Sequence, residues 1–142
     1  MTTENAKKYA KIIYDIIGAA YDVRKELKSG LAEAIYEEAL CIELESRGIN
    51  AKEQQDLPVY YKGVQLQKHY RMDIVVMDDI VIELKAVDEI ISEHRAQLFN
   101  YLRLTNKPIG LLINFGDNVE VEKYQYTHNT NEIELFNYKY QS

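Results

Sequence analysis

The segment Ile109 to Phe115, IGLLINF, is apolar at nearly every position, the pattern of a strand buried on both faces of a sheet. Such a strand needs cover on both sides, which points to an α/β arrangement with a mixed sheet flanked by helices. The rest of the chain supplies the parts. From Asn5 to Leu27 apolar residues recur at Tyr9, Ile12, Ile13, Ile16, Ile17, Ala20, Val23 and Leu27, the spacing of an amphipathic helix. Ser29-Gly30 ends it, and a second helix is predicted from about Leu31 to Arg47, stopped by Gly48.

After Gly48 the period becomes two. Val59-Tyr60-Tyr61, a Lys62-Gly63 turn and Val64 to Tyr70 predict a hairpin whose first strand begins late or lies at an edge, because of Pro58. Met72 to Val76 and Ile80 to Ala86 predict a second hairpin, making four strands before the next helix, Ser92 to Thr105, which Asn106-Lys107-Pro108 breaks. Beyond the central strand, Val119 to Tyr126 and Ile133 to Tyr140 alternate as two edge strands joined by His128 to Asn131. At 142 residues, 46% hydrophobic and 28% charged, the chain is expected to form one domain spanning residues 1–142.

Composition narrows the function classes. The longest apolar run is too short to span a bilayer and the polar N-terminus does not resemble a signal peptide, so a cytoplasmic location with no membrane association is expected. The single cysteine, Cys41, excludes an internal disulfide, and it falls in a helical pattern as a small core or boundary residue. A net charge of −6 argues against an unassisted grip on duplex nucleic acid and leaves contacts to local positive patches. Most of the twelve tyrosines are expected at core edges with their hydroxyls near water.

The chemistry is carried by VIELKAV, Val81 to Val87. Alternation sets Glu83 and Lys85 on one face of a half-buried strand. Asp73 stands ten positions before Glu83, and the hairpin register decides whether the two meet. A two-residue loop would turn Asp73 away; a three-residue loop, Met77 to Asp79, pairs Val76 with Ile80 and puts Asp73 opposite Glu83, with Asp78 or Asp79 suited to the left-handed position. The Cβ atoms are then roughly 5 Å apart. Two ionised carboxylates at that distance need a cation, either Lys85 or a divalent metal; hard oxygen ligands suit Mg²⁺ or Mn²⁺.

Asp73, nine intervening residues and Glu83-Leu84-Lys85 resemble the signature of the PD-(D/E)XK nuclease superfamily. Gly30-Leu31-Ala32-Glu33-Ala34-Ile35-Tyr36 resembles the motif of its GxxExxY family. Gln97-Leu98-Phe99-Asn100-Tyr101 resembles that family's QxxxY helix, and Gly110 to Gly116, GLLINFG, its strand. The resemblance runs from about Gly18 to Gly116, with the motifs in order; Met72 stands where the superfamily's name places proline.

The resemblance implies a restriction-endonuclease-like core with extra strands at the C-terminus, and site roles residue by residue. Asp73, Glu83 and the Leu84 carbonyl would hold Mg²⁺ or Mn²⁺, Glu33 would complete the acidic site, and Lys85 would position the attacking water. Gln97 and Tyr101, four apart on one helix face, would point toward Lys85. Tyr36 would line the same pocket, and Arg71 and His94 would face substrate. Glu37 and Glu38 have the look of a solvated helix face, and His69 with Lys68 and Arg71 forms a basic cluster suited equally to a solvated strand edge or a phosphate contact. The expected activity is metal-dependent cleavage of DNA or RNA phosphodiesters. The alternative is a non-catalytic accessory that keeps the fold and metal site and acts through a partner. Nucleic acid is the expected ligand, and the C-terminal edge strands offer a pairing surface for a homodimer or protein partner.

Overall fold

The computed structural model describes residues 1–141. Helix α1 (Thr3–Leu27) starts where Thr2 Oγ1 accepts the Asn5 N–H at 3.1 Å, and it buries Tyr9, Ile13, Ile16, Ala20 and Val23. Helix α2 (Glu33–Ser46) follows after a tight turn in which Gly30 has φ +93°, a conformation a side chain would strain. Arg47, just past α2, pairs with Asp22 of α1 and with Glu43, tying the two helices together. No helix is long and apolar enough to cross a membrane among the described residues.

Strands β1 (Ala51–Tyr61), β2 (Val64–Val76), β3 (Ile80–Lys85), β4 (Ile109–Phe115), β5 (Val119–Thr127) and β6 (Glu132–Leu135) lie in one sheet in sequence order. Neighbours are antiparallel except β3 and β4, which run parallel and are joined through helix α3 (Ser92–Thr105). All seven residues of β4 are buried, as its composition requires. Helices α1 and α2 share one core with Ile74, Ile82, Leu84 and Leu111, while α3 packs Leu98 and Leu102 with Val75, Val81 and Leu112 in a second. The two cores are the two faces of one mixed sheet. The architecture is restriction-endonuclease-like, with β5 and β6 as the extra C-terminal strands.

Several boundaries differ from the sequence reading. Val64 to Tyr70 and Met72 to Val76 are one strand, so three strands precede α3; Arg71 interrupts the apolar pattern without interrupting the pairing. β1 begins at Ala51, because its polar residues lie on an exposed edge where alternation leaves no signal. β5 is internal, β6 is the edge, and β6 ends at Leu135 rather than Tyr140. The predicted β2–β3 register is found: Val76 pairs with Ile80 across Met77-Asp78-Asp79, although the left-handed residues are Met77 (φ 52°) and Asp78 (φ 61°).

Candidate active site

The β2–β3 ladder stops at Ile74–Ile82, and beyond it side chains replace backbone pairing. Glu83 Oε1 accepts the Asp73 N–H at 3.1 Å, and Asp73 Oδ2 accepts the Leu84 N–H at 2.8 Å. The two acids thereby hold each other's strand while their second oxygens, Asp73 Oδ1 and Glu83 Oε2, accept no N–H among the described residues. Glu83 is 2% exposed, and burial next to Asp73 pushes its carboxyl well above the usual range. Asp73 is raised too, chiefly by desolvation, against the pull of the Leu84 amide and the Lys85 charge.

Helix α2 brings two more carboxylates. Glu33, at its first turn, is raised by desolvation, held back by Lys85 and pushed up by Asp73, which places it within the field of both. Glu37, one turn on, is buried rather than solvated. Its two oxygens accept from Gln54 Nε2 at 2.9 Å, and burial and Asp73 raise it to about 7. Its exposed neighbour Glu38 fits the solvated reading. The signal available was helical phase: Glu37 lies four residues after Glu33 on one face.

On the other face α3 supplies a relay. Lys85 Nζ donates to Gln97 Oε1 (3.2 Å), Gln97 Nε2 donates to Tyr101 Oη (3.0 Å), and the Tyr101 hydroxyl donates to the Arg71 carbonyl (3.3 Å). Burial and the Glu83 charge push the Tyr101 phenol up to about 12, so it stays a donor at neutral pH. Lys85 makes no ion pair among the described residues; its ammonium is oriented by a neutral amide, not spent on a carboxylate.

The fold therefore brings together Glu33, Asp73, Glu83, Leu84, Lys85, Gln97 and Tyr101, and adds Glu37. Three other residues have their contacts elsewhere. The fully buried Tyr36 stacks on Phe115 at 4.7 Å, donates to the Lys28 carbonyl at 2.6 Å and accepts the Leu31 N–H at 3.2 Å. It fastens the α1–α2 turn that aims Glu33. The Arg71 side chain is exposed and pairs with Asp56 at 3.0 Å. His94 Nδ1 accepts the Ile91 N–H at 3.1 Å and caps the start of α3.

Asn114 escaped the sequence reading. Its amide brackets the loop after β3, with Oδ1 accepting from Val87 N–H (3.0 Å) and Nδ2 donating to the Val87 carbonyl (2.9 Å). A lone amide in an otherwise apolar run was the available clue, and the side chain is fully buried.

No group of three acid, histidine or cysteine side chains is gathered tightly enough to hold a metal by itself among the described residues. The donor set instead suits a hard cation that keeps several waters and takes one or two carboxylates plus a backbone carbonyl. Four carboxylates against one lysine leave the cluster short of positive charge, and burial, with Asp73 beside Glu83, raises the proton affinities of both acids.

A mixed sheet with helices on both faces, carrying Asp, Glu and Lys where two central strands part, defines a nuclease-like α/β protein. A family model described as the PD-(D/E)XK nuclease superfamily matches residues 10–126, and the chain belongs to that superfamily. No curated protein matches the chain significantly. Among solved structures, the crystal structure of SSO0001 is similar at 22% identity over 68% of this chain, with a TM-score of 0.47. This chain spans 55% of the length of that one.

Proposed function

We propose that the chain is a Mg²⁺- or Mn²⁺-dependent phosphodiesterase acting on DNA or RNA, of the GxxExxY branch of the superfamily. The observation that carries this reading is the meeting of Asp73 and Glu83 at the parting of β2 and β3, with an unpaired Lys85 beside them. The branch is supported by what its motif does here: Gly30 makes the turn, Tyr36 fastens it and Glu33 lies within the field of Asp73 and Lys85.

Asp73, Glu83 and the Leu84 carbonyl would hold the ion, with Glu33 and Glu37 adding negative charge around its waters. When bound, the ion supplies a water of lowered pKa and positive charge opposite the phosphate oxygens. Lys85 orients the attacking water and offsets charge gathering on the phosphate, and Gln97 and Tyr101 hold the ammonium in place. The buried face behind Glu83 keeps these charges in a low-dielectric setting where they act strongly.

The test is cleavage of single-stranded, double-stranded and branched substrates with each metal. At least one is expected to be cut, and Lys85→Ala should slow that reaction by about 100-fold or more. Protein that binds Mn²⁺ yet cuts none of them would overturn the reading. The net charge of −6 favours a second one, a non-catalytic accessory that keeps the metal site and meets nucleic acid through a partner. In that case Mn²⁺ binds and no substrate is cut until the partner is added.

A further inference from the structure

The β1–β2 ribbon outruns the sheet. β3 pairs with β2 only from Ile74 to Val76, so residues from Asp56 to Arg71 pair with one another alone. With a rise of about 3.3 Å per residue, the arm is roughly 20 Å long. Residues 57–71 hold Lys62, Lys68 and Arg71 and no aspartate or glutamate, in a protein of net charge −6, while Asp56 at the root of the arm pairs with Arg71.

One face of this arm is continuous with the site. Tyr61 pairs with Val64, and alternation along β2 puts Leu66, Lys68 and Tyr70 on the same side. Leu66, Lys68 and Tyr70 line a shallow groove there with Val59. Tyr61 is 62% exposed and Tyr70 41%, and Lys62 Nζ stands 5.5 Å from the Tyr61 ring. At the root the Tyr70 ring meets Tyr101 edge-on at 5.6 Å, and Tyr101 belongs to the relay that ends at Lys85.

We infer that this face docks single-stranded nucleic acid, with Tyr61 stacking on an unpaired base and Lys68 meeting the backbone, so that the strand is led toward Lys85. Charge selects a polyanion, because the outer arm carries Lys62 and Lys68 with no acid among residues 57–71, the one acid at its root, Asp56, being paired with Arg71. The exposed ring selects single strands, since only unpaired bases offer a free π-face, and so few cations hold a duplex poorly. The inference rests on the nucleic-acid reading above and names the substrate class and the surface that receives it.

Binding can be separated from cutting by working in a chelator. Fluorescence anisotropy of the full chain with labelled oligo-dT or oligo-U, and with a duplex, is expected to show tighter binding to a single strand. Tyr61→Ala should weaken that binding about fivefold or more. Lys68→Gln should lower the salt slope by about 0.7. Tyr60→Ala, on the opposite face, should bind as wild type. Preference for duplex, absence of single-strand binding, or a Tyr61→Ala variant with wild-type affinity would overturn the inference. So would light scattering that shows a dimer dissociated by Tyr61→Ala, because the occupant would then be a second copy. A wild-type chain that binds single strands but cuts nothing with Mg²⁺ or Mn²⁺ sinks the nuclease reading and leaves this one standing.

Discussion

Lys85 reaches a neutral amide oxygen on α3 and acts on the acids beside it only through its field, so its removal breaks no ion pair among the described residues. Lys85→Ala is therefore expected to keep the wild-type melting temperature within a degree or two while activity falls, as paired thermal melts and cleavage rates would show. The acids behave differently. Glu83, Asp73 and Glu37 all bind protons more tightly in the fold than in the unfolded chain, so the native state carries more protons above the ordinary carboxylate range. Stability contributed by these groups is present at low pH and is lost as pH rises. In chelator the melting temperature should be higher at pH 6 than at pH 8, Mn²⁺ should recover it at pH 8, and Glu83→Gln should flatten the trend. A melting temperature that rises between pH 6 and 8 would contradict the site's electrostatics. At this scale the sequence exposed Asp73, Glu83 and Lys85 through alternation and loop length. It hid Glu37, because burial of a helix carboxylate depends on a glutamine from a distant strand.

Two elements set the site's geometry without touching it. Tyr36→Phe keeps the ring against Phe115 but gives up two hydrogen bonds across the α1–α2 turn, and should cost about 1 kcal/mol in denaturant unfolding. Gly110 lets α3 approach β4: an added Cβ would lie 2.9 Å from Leu102 Cδ1 and 3.1 Å from Leu98 Cδ1. Gly110→Ala should destabilise by about 1–3 kcal/mol and displace the helix that carries Gln97 and Tyr101, lowering the cleavage rate more than Tyr36→Phe does. The helices were legible because each buries one stripe, and the β2–β3 register because a three-residue loop with an aspartate free to turn left-handed brings Asp73 to Glu83. The hairpin around Lys62-Gly63 was legible too, from its turn and its period of two, but the first part of β1, from Ala51 to Pro58, was not, since its polar residues lie on an exposed edge.

Across the whole molecule the site joins α2 on one face of the sheet to α3 on the other, through strands that part between them. A ligand held there stabilises the fold by mass action, about 2.7 kcal/mol at one hundred times its dissociation constant. Thermal melts with increasing Mn²⁺ should rise accordingly for wild type and remain flat for Asp73→Asn. Net charge describes the sum and not its distribution: residues 57–71 hold three cations and no acid within a chain of net charge −6.

The parting of β2 and β3 gives the acids a second occupation. Asp73 and Glu83 cap amides that strand pairing would otherwise have satisfied, so they act as fasteners of the hairpin whether or not any bond is ever cut. A copy of this chain that had given up chemistry would still suffer if it lost either acid, and would lose Lys85 almost freely. The lysine, more than the carboxylates, is the residue that the proposed chemistry alone requires.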